Sequence, residues 1–140
     1  MQNQTIKPWL LIGGDEMTKK LLFIAMYRTL DCLYDETQRE DLRNYLSEAN
    51  PYLFTDRKSA DPAVFAAFSH YFDSLYTNDD VSVEEAYSFV RQYLNSEHLS
   101  YYGNFAPIFD DISLEEWTEL CSIVADEETE WKWVSQNLSP

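Results

Sequence analysis

The chain has 140 residues and a mass of 16.5 kDa, and its 25 Asp+Glu against 10 Lys+Arg give a formal net charge of −15. That length predicts one domain, able to bury about two-thirds of its extended surface without disulfides or a structural metal, and 45% apolar and 16% aromatic residues argue against disorder. The charge excludes direct binding to nucleic acid or to an anionic membrane, whose fields would repel the protein.

In chain order, Lys7 is followed by Trp9-Leu10-Leu11-Ile12 and then Gly13-Gly14-Asp15, an apolar stretch too short for a signal peptide. Residues 1–14 are expected to form a short extended arm on the core, with Gly13-Gly14 turning the chain and Asp15 capping the first helix. From Glu16 to about Tyr34, Leu22, Met26, Leu30 and Leu33 recur at helical spacing, with Leu21, Phe23, Ile24 and Ala25 around them. A helix apolar over most of its circumference belongs at the centre of the fold. Its longest apolar run, Leu21 to Tyr27, falls short of the roughly 20 residues that cross a bilayer. Asp35 and Thr37 are expected to open a second helix, with Leu42, Tyr45, Leu46 and Ala49 on one face, ended by Asn50-Pro51. The irregular loop Tyr52-Leu53-Phe54-Thr55-Asp56-Arg57-Lys58 carries two aromatics and is expected to be partly buried. Asp61 as N-cap with Pro62 behind it starts a third helix, whose buried stripe is Phe65, Phe68, Phe72 and Leu75, with Val64, Tyr71 and Tyr76 beside it.

Ser82-Val83-Glu84-Glu85 and Ser113-Leu114-Glu115-Glu116 have the form of capping boxes, in which serine and glutamate satisfy each other's free backbone donors. The first opens a helix expected to bury Val83, Ala86 or Tyr87, Val90 and Leu94; the second, one with Trp117, Leu120, Cys121 and Val124 inward. A final segment, Asp126 to Leu138, contains Trp131, Trp133, Val134 and Leu138 and reads as a helix packing back on the domain. The expected fold is all-α: a compact single-domain bundle of five to six helices over residues 1–140, without internal repeats. Cys32 and Cys121 each sit in an apolar helical pattern and are expected to be reduced, buried thiols of a cytoplasmic protein.

The sequence carries no phosphate-binding loop, no serine between flanking glycines and no His-Glu-x-x-His. His70 and His98 lack the upstream glutamate of a helical di-iron site, and His70 with Asp73, one turn apart, reads as a surface ion pair. The doublets Asp79-Asp80, Glu84-Glu85, Asp110-Asp111 and Glu115-Glu116 lack the alternation and central glycine of a calcium loop. Neighbours on a helix also point about 100° apart, which makes a doublet a poor chelate. No metal, no cofactor and no enzymatic activity are expected; a metal-dependent hydrolase built from helix carboxylates is the alternative.

The charge is uneven. Residues 1–72 hold ten acids and eight bases, whereas residues 73–131 hold fifteen acids and one base, Arg91. Helix starts favour acids by about 0.3–1 kcal/mol each, which explains where the doublets stand but not the missing bases. Between two acidic helix starts lies Tyr101-Tyr102-Gly103-Asn104-Phe105, whose tyrosines fit a protein-recognition patch or tuck into the core beneath the loop. Asp79, Asp80, Glu84, Glu85, Tyr101, Tyr102, Asp110, Asp111, Glu115 and Glu116 are the candidate contacts with a basic protein partner. Small size, acidity, the lack of a catalytic motif and the stretch Asn50-Pro51-Tyr52-Leu53-Phe54 with Ser59-Ala60-Asp61-Pro62 resemble immunity proteins of bacterial polymorphic toxin and contact-dependent growth inhibition systems. The resemblance is one of type over the whole chain and assigns no residue roles. It implies a cytoplasmic protein, a monomer or weak homo-oligomer, that covers the cationic active site of a cognate nuclease toxin, a ribonuclease before others. A nucleic-acid mimic or adaptor that occupies a DNA-binding protein is a further alternative.

Overall fold

A computed structural model of the protein describes residues 16–138. They form an all-α domain of seven helices with one two-stranded ribbon: β1 (Glu16–Thr18), α1 (Lys19–Thr37), α2 (Glu40–Ala49), α3 (Pro62–Leu75), β2 (Asp80–Ser82), α4 (Val83–Leu94), α5 (Glu97–Ser100), α6 (Ala106–Phe109) and α7 (Leu114–Leu138). The number exceeds the expected five or six because α5 and α6 are single turns, too short to leave a periodic pattern. The proposed arm through Trp9–Ile12, the Gly13-Gly14 turn and the Asp15 cap lie outside the described residues.

α1 begins later and ends later than its apolar pattern indicates. Thr18 is the N-cap, its Oγ1 accepting from the Leu21 N–H at 3.1 Å, so Glu16 and Met17 are left to β1. Asp35 and Thr37 do not open a second helix; they finish the first. The break falls at Gln38, which adopts a left-handed conformation (φ 55°) and donates its N–H to the Tyr34 carbonyl at 2.7 Å. A left-handed residue just past the last turn is how many helices end, but glutamine gives no warning of it.

β1 and β2 pair antiparallel, with Met17 opposite Val81 and both buried. The ribbon ties the start of α1 to the start of α4. α1 lies at the centre of the fold, against α2, α3, α6 and α7, and α4 packs against α3, α5, α6 and α7. Between them is an aromatic core. Phe68 meets Phe23 edge-on at 5.0 Å, Phe89 at 5.4 Å and Tyr93 at 5.3 Å, and Phe72 meets Phe89 at 5.4 Å. Such pairs add about 0.5–1.5 kcal/mol each beyond their burial. Phe89 and Tyr93 thus join the expected Val83, Ala86, Val90 and Leu94 inside α4, while Tyr87 is half-buried.

Two burial expectations need correction. Leu75 is exposed because it closes α3, and the next residue, Tyr76, turns inward instead, to 5.1 Å from Phe72. Cys32 is exposed, sharing the outer face of α1 with Asp31, Asp35 and Glu36 while Leu30 and Leu33 face the core. Cys121 is buried, and the loss of water pushes its thiol up to about 12, which makes it a packing group rather than a nucleophile. The segment Asp126–Leu138 is not a separate helix. No glycine or proline interrupts residues 114–138, and α7 runs through them as one helix of 25 residues.

Candidate protein-binding site

The acids of the second half fall into two groups. The first is neutralised by bases from the first half of the chain. Lys19 Nζ lies 2.8 Å from Asp73, Arg28 Nη1 lies 2.6 Å from Glu127, and Arg57 Nε lies 3.0 Å from Glu128. The lone base of residues 73–131, Arg91, pairs with Asp110 at 2.9 Å. The missing bases are therefore partly supplied from a distance, because α1 and the 50–58 loop pack on α3 and α7. The expected pair of His70 with Asp73 does not form; Lys19 takes that carboxylate and also donates to Ser69 Oγ at 2.8 Å.

The second group, among the described residues, meets no base but Arg91. Trp117 Nε1 donates to the Val83 carbonyl at 3.1 Å, the Tyr87 hydroxyl donates to the Ile112 carbonyl, and Arg91 reaches Asp110. These contacts run the 110–117 segment antiparallel to α4 and set the starts of α4 and α7 side by side. Both capping boxes form. Glu85 N–H donates to Ser82 Oγ at 3.0 Å and Ser82 N–H to Glu85 Oε1 at 2.9 Å. Glu116 N–H donates to Ser113 Oγ at 3.1 Å and Ser113 N–H to Glu116 Oε1 at 2.8 Å. Ser113, first through its backbone N–H and then its hydroxyl, holds the Glu116 carboxyl below its ordinary range. Asp79, Asp80, Glu84, Glu85, Asp110, Asp111, Glu115 and Glu116 are all exposed. Among the described residues, only Asp110 of these eight is in an ion pair. Two adjoining helix starts temper the charge, each contributing a partial positive end. The surface they present to solvent is predominantly anionic, with Arg91 the one base bonded to it.

The tyrosines sit elsewhere. α4, with 12 residues, spans about 18 Å, and α5 leaves from the end opposite Glu84 and Glu85. Tyr101 is 86% exposed there. Tyr102 is half-buried: its hydroxyl donates to Glu48 Oε1 at 2.7 Å and its ring stands edge-on to Tyr45 at 4.9 Å. Burial, reinforced by Glu48, pushes its pKa up. Of the two arrangements open for this pair, each tyrosine takes one, and Tyr102 is committed to α2. The ten candidate contacts thus do not form one patch.

A second feature has no counterpart in the sequence analysis. Arg57 adopts a left-handed backbone (φ 58°), places its guanidinium 4.0 Å from the Trp131 ring and 5.0 Å from the Tyr52 ring, and pairs with Glu128. Both partners of that ion pair are only 13% exposed. The contact fastens the 50–58 loop to α7 across 71 residues of sequence, a separation that no local pattern reports. What the loop buries is Pro51 and Ser59; its tip, Leu53 and Phe54, stands 60% and 55% exposed, contrary to the expectation for its aromatics. Beside Phe54 lies an open groove of about 710 Å³, lined by Lys58, Pro62, Phe65, His70 and Asp73 among others.

Among the described residues no group of three or more His, Cys, Asp or Glu side chains is placed to hold a metal ion, and no helix is long and apolar enough to cross a membrane. Comparison with family models gives no match, and neither a curated protein nor a solved structure is significantly similar to the chain.

Proposed function

We propose that the protein is a stoichiometric, non-enzymatic inhibitor of a basic protein: an immunity protein that acts in the cytoplasm and covers the cationic active site of a nuclease toxin, a ribonuclease before others. One observation carries this reading. A fold that recruits Lys19, Arg28 and Arg57 across the chain to neutralise acids leaves Asp79, Asp80, Glu84, Asp111 and Glu115, among the described residues, outside any ion pair around two adjoining helix starts. Like charges so gathered repel one another and oppose folding; a basic partner relieves that repulsion and is drawn in faster by the same field. A groove that holds RNA phosphates is a surface of matching sign. Asp79, Asp80, Glu84, Asp111 and Glu115 are the leading contacts, with Glu85 and Glu116 partly occupied by their capping boxes and Asp110 by Arg91.

The test is stopped-flow association with the basic nuclease domain expected to be encoded immediately upstream of its gene. Glu84→Lys, Asp111→Lys and Glu115→Lys combined, which spare both capping boxes, should slow association at least tenfold at low ionic strength, roughly the scale of electrostatic steering. The difference should shrink as salt is raised. An unchanged rate, or the lack of any such domain, overturns the proposal.

A further inference from the structure

On the 50–58 loop and the groove beside it, apolar exposure and charge balance coincide. Leu53 and Phe54 project next to each other at the loop tip. The base beneath them is held in several ways. Tyr52 N–H donates to Asn50 Oδ1 at 2.9 Å, Arg57 N–H to the Phe54 carbonyl at 3.2 Å, and Lys58 N–H to Asp56 Oδ1 at 3.0 Å; Arg57 itself is clamped by Glu128 and Trp131. A tip so held loses little freedom on binding. The groove next to it has Phe65, Pro62 and Ala66 in its lining, with Lys58 Nζ 5.7 Å from the Phe65 ring. Its charges cancel: Asp56 stands with Lys58, and Asp73 is neutralised by Lys19. On a chain of net charge −15, two copies approaching through most orientations repel; here they do not.

We propose that this face joins two copies of the chain. A projecting apolar tip beside a mixed groove with an apolar strip of Pro62, Phe65 and Ala66 can meet its own image across a two-fold axis, where each copy offers what the other needs. Phe54 of each chain lies against Pro62 and Phe65 of the other, and Asp56 of each faces Lys58 of the other. The contact is independent of the acidic end of α4 and α7, which stays open in the dimer.

Sedimentation velocity of the full chain from about 5 to 500 µM, a range suited to a small interface, tests it. The wild type should shift from monomer towards dimer across that range. Phe54→Ser should raise the dissociation constant about tenfold or more, as loss of a central aromatic anchor does. Asp56→Lys and Lys58→Glu should each be monomeric alone and should dimerise when mixed, because one copy then carries two positive charges and the other two negative. The mixing arm also reports that both variants fold. A wild type that stays monomeric throughout, or a dimer indifferent to these substitutions, overturns the proposal. So does a monomeric wild type in which Phe54→Ser weakens binding to the basic nuclease domain, since the face then belongs to that partner.

Discussion

The long helix α7 carries two acidic stretches of nearly the same composition and opposite circumstance. Near its middle, Glu127 and Glu128 meet Arg28 from α1 and Arg57 from the 50–58 loop. At its start, Glu115, Glu116 and Glu119 face solvent, and among the described residues none of them has an ion pair. Locally the two stretches are alike, each a glutamate doublet on an amphipathic helix. What separates them is the element laid opposite. The first stretch lies under α1 and a loop that bring arginine; the second lies beside the start of α4, which brings more carboxylate. An acidic count therefore does not measure an acidic surface: four acids of residues 73–131 are paired, a group gathers around the starts of α4 and α7, and Glu97 and Glu130 stand exposed elsewhere.

The joint between the starts of α4 and α7 is the place where the comparison breaks most easily. Trp117 is fully buried, and its indole N–H satisfies the Val83 carbonyl. Trp117→Ala should cost about 3–5 kcal/mol, from the cavity together with the orphaned carbonyl, read as a lower urea midpoint. A loss below about 1 kcal/mol would mean that α4 and α7 are not held together there. Next in size is the clamp at the other stretch. Removing one member of a shielded ion pair strands the other, and Arg57→Ala, which keeps the left-handed backbone, should cost about 3 kcal/mol. Glu115→Gln at the open end should stay within about 0.5 kcal/mol. Equal effects from the two substitutions would remove the distinction between the stretches.

The same contrast shows which features the sequence carries openly. The capping boxes at Ser82 and Ser113 and the Asp61-Pro62 start were legible because their signals lie within four residues and the bonds are the ones that serine, aspartate and proline at those positions make. The core faces of α1, α2 and α7 follow from apolar spacing. Boundaries without such chemistry were not legible: Gln38 ends α1 by taking a left-handed conformation that glutamine rarely adopts, and asparagine or glycine would have marked it. The acids of the candidate site were visible as residues but not as a site. Separating them from Glu127 and Glu128 depends on Arg28 and Arg57, which lie 99 and 71 residues away. Tyr101 and Tyr102, adjacent in sequence, part because only Tyr102 faces Glu48 across the α2 contact.

Acid denaturation sharpens the comparison at moderate size. Ser113 lowers Glu116 from its ordinary 4.5, and a side-chain hydrogen bond from Arg39, ahead of all other causes, lowers Asp41 from its ordinary 3.8. A carboxylate whose folded pKa is depressed stabilises in full above its unfolded value and loses that contribution as pH falls through the folded one. Stability should therefore be flat for these two groups above about pH 5 and fall below pH 4.5 and 3.8 in turn. Arg39→Ala should lower stability above about pH 5 and converge with the wild type as pH falls, flattening the acid limb of urea unfolding; Ser113→Ala, which keeps the backbone N–H on Glu116, should flatten it less. An Arg39→Ala limb parallel to that of the wild type rules out the Arg39 bond as its cause.

The smallest expected effect has the clearest sign. If Asp79, Asp80 and Asp111, which lie outside the first turns of α4 and α7, repel the carboxylates around them, converting these three together to their amides should stabilise the fold. The gain should be about 1 kcal/mol or less, since exposed substitutions count for a few tenths each. It should be larger at about 0.02 M salt than at about 0.5 M, because exposed charges are screened within a few ångströms at the higher value. Glu127→Gln with Glu128→Gln must do the reverse, since both carboxylates accept from arginine, and the loss there should depend less on salt because the Arg57–Glu128 pair is largely shielded. Opposite signs from chemically identical substitutions are what distinguish a surface held ready for a cation from one already supplied with it. A loss of stability at both ends would mean that Asp79, Asp80 and Asp111 are compensated within the chain, and the reason to assign them a basic partner would disappear.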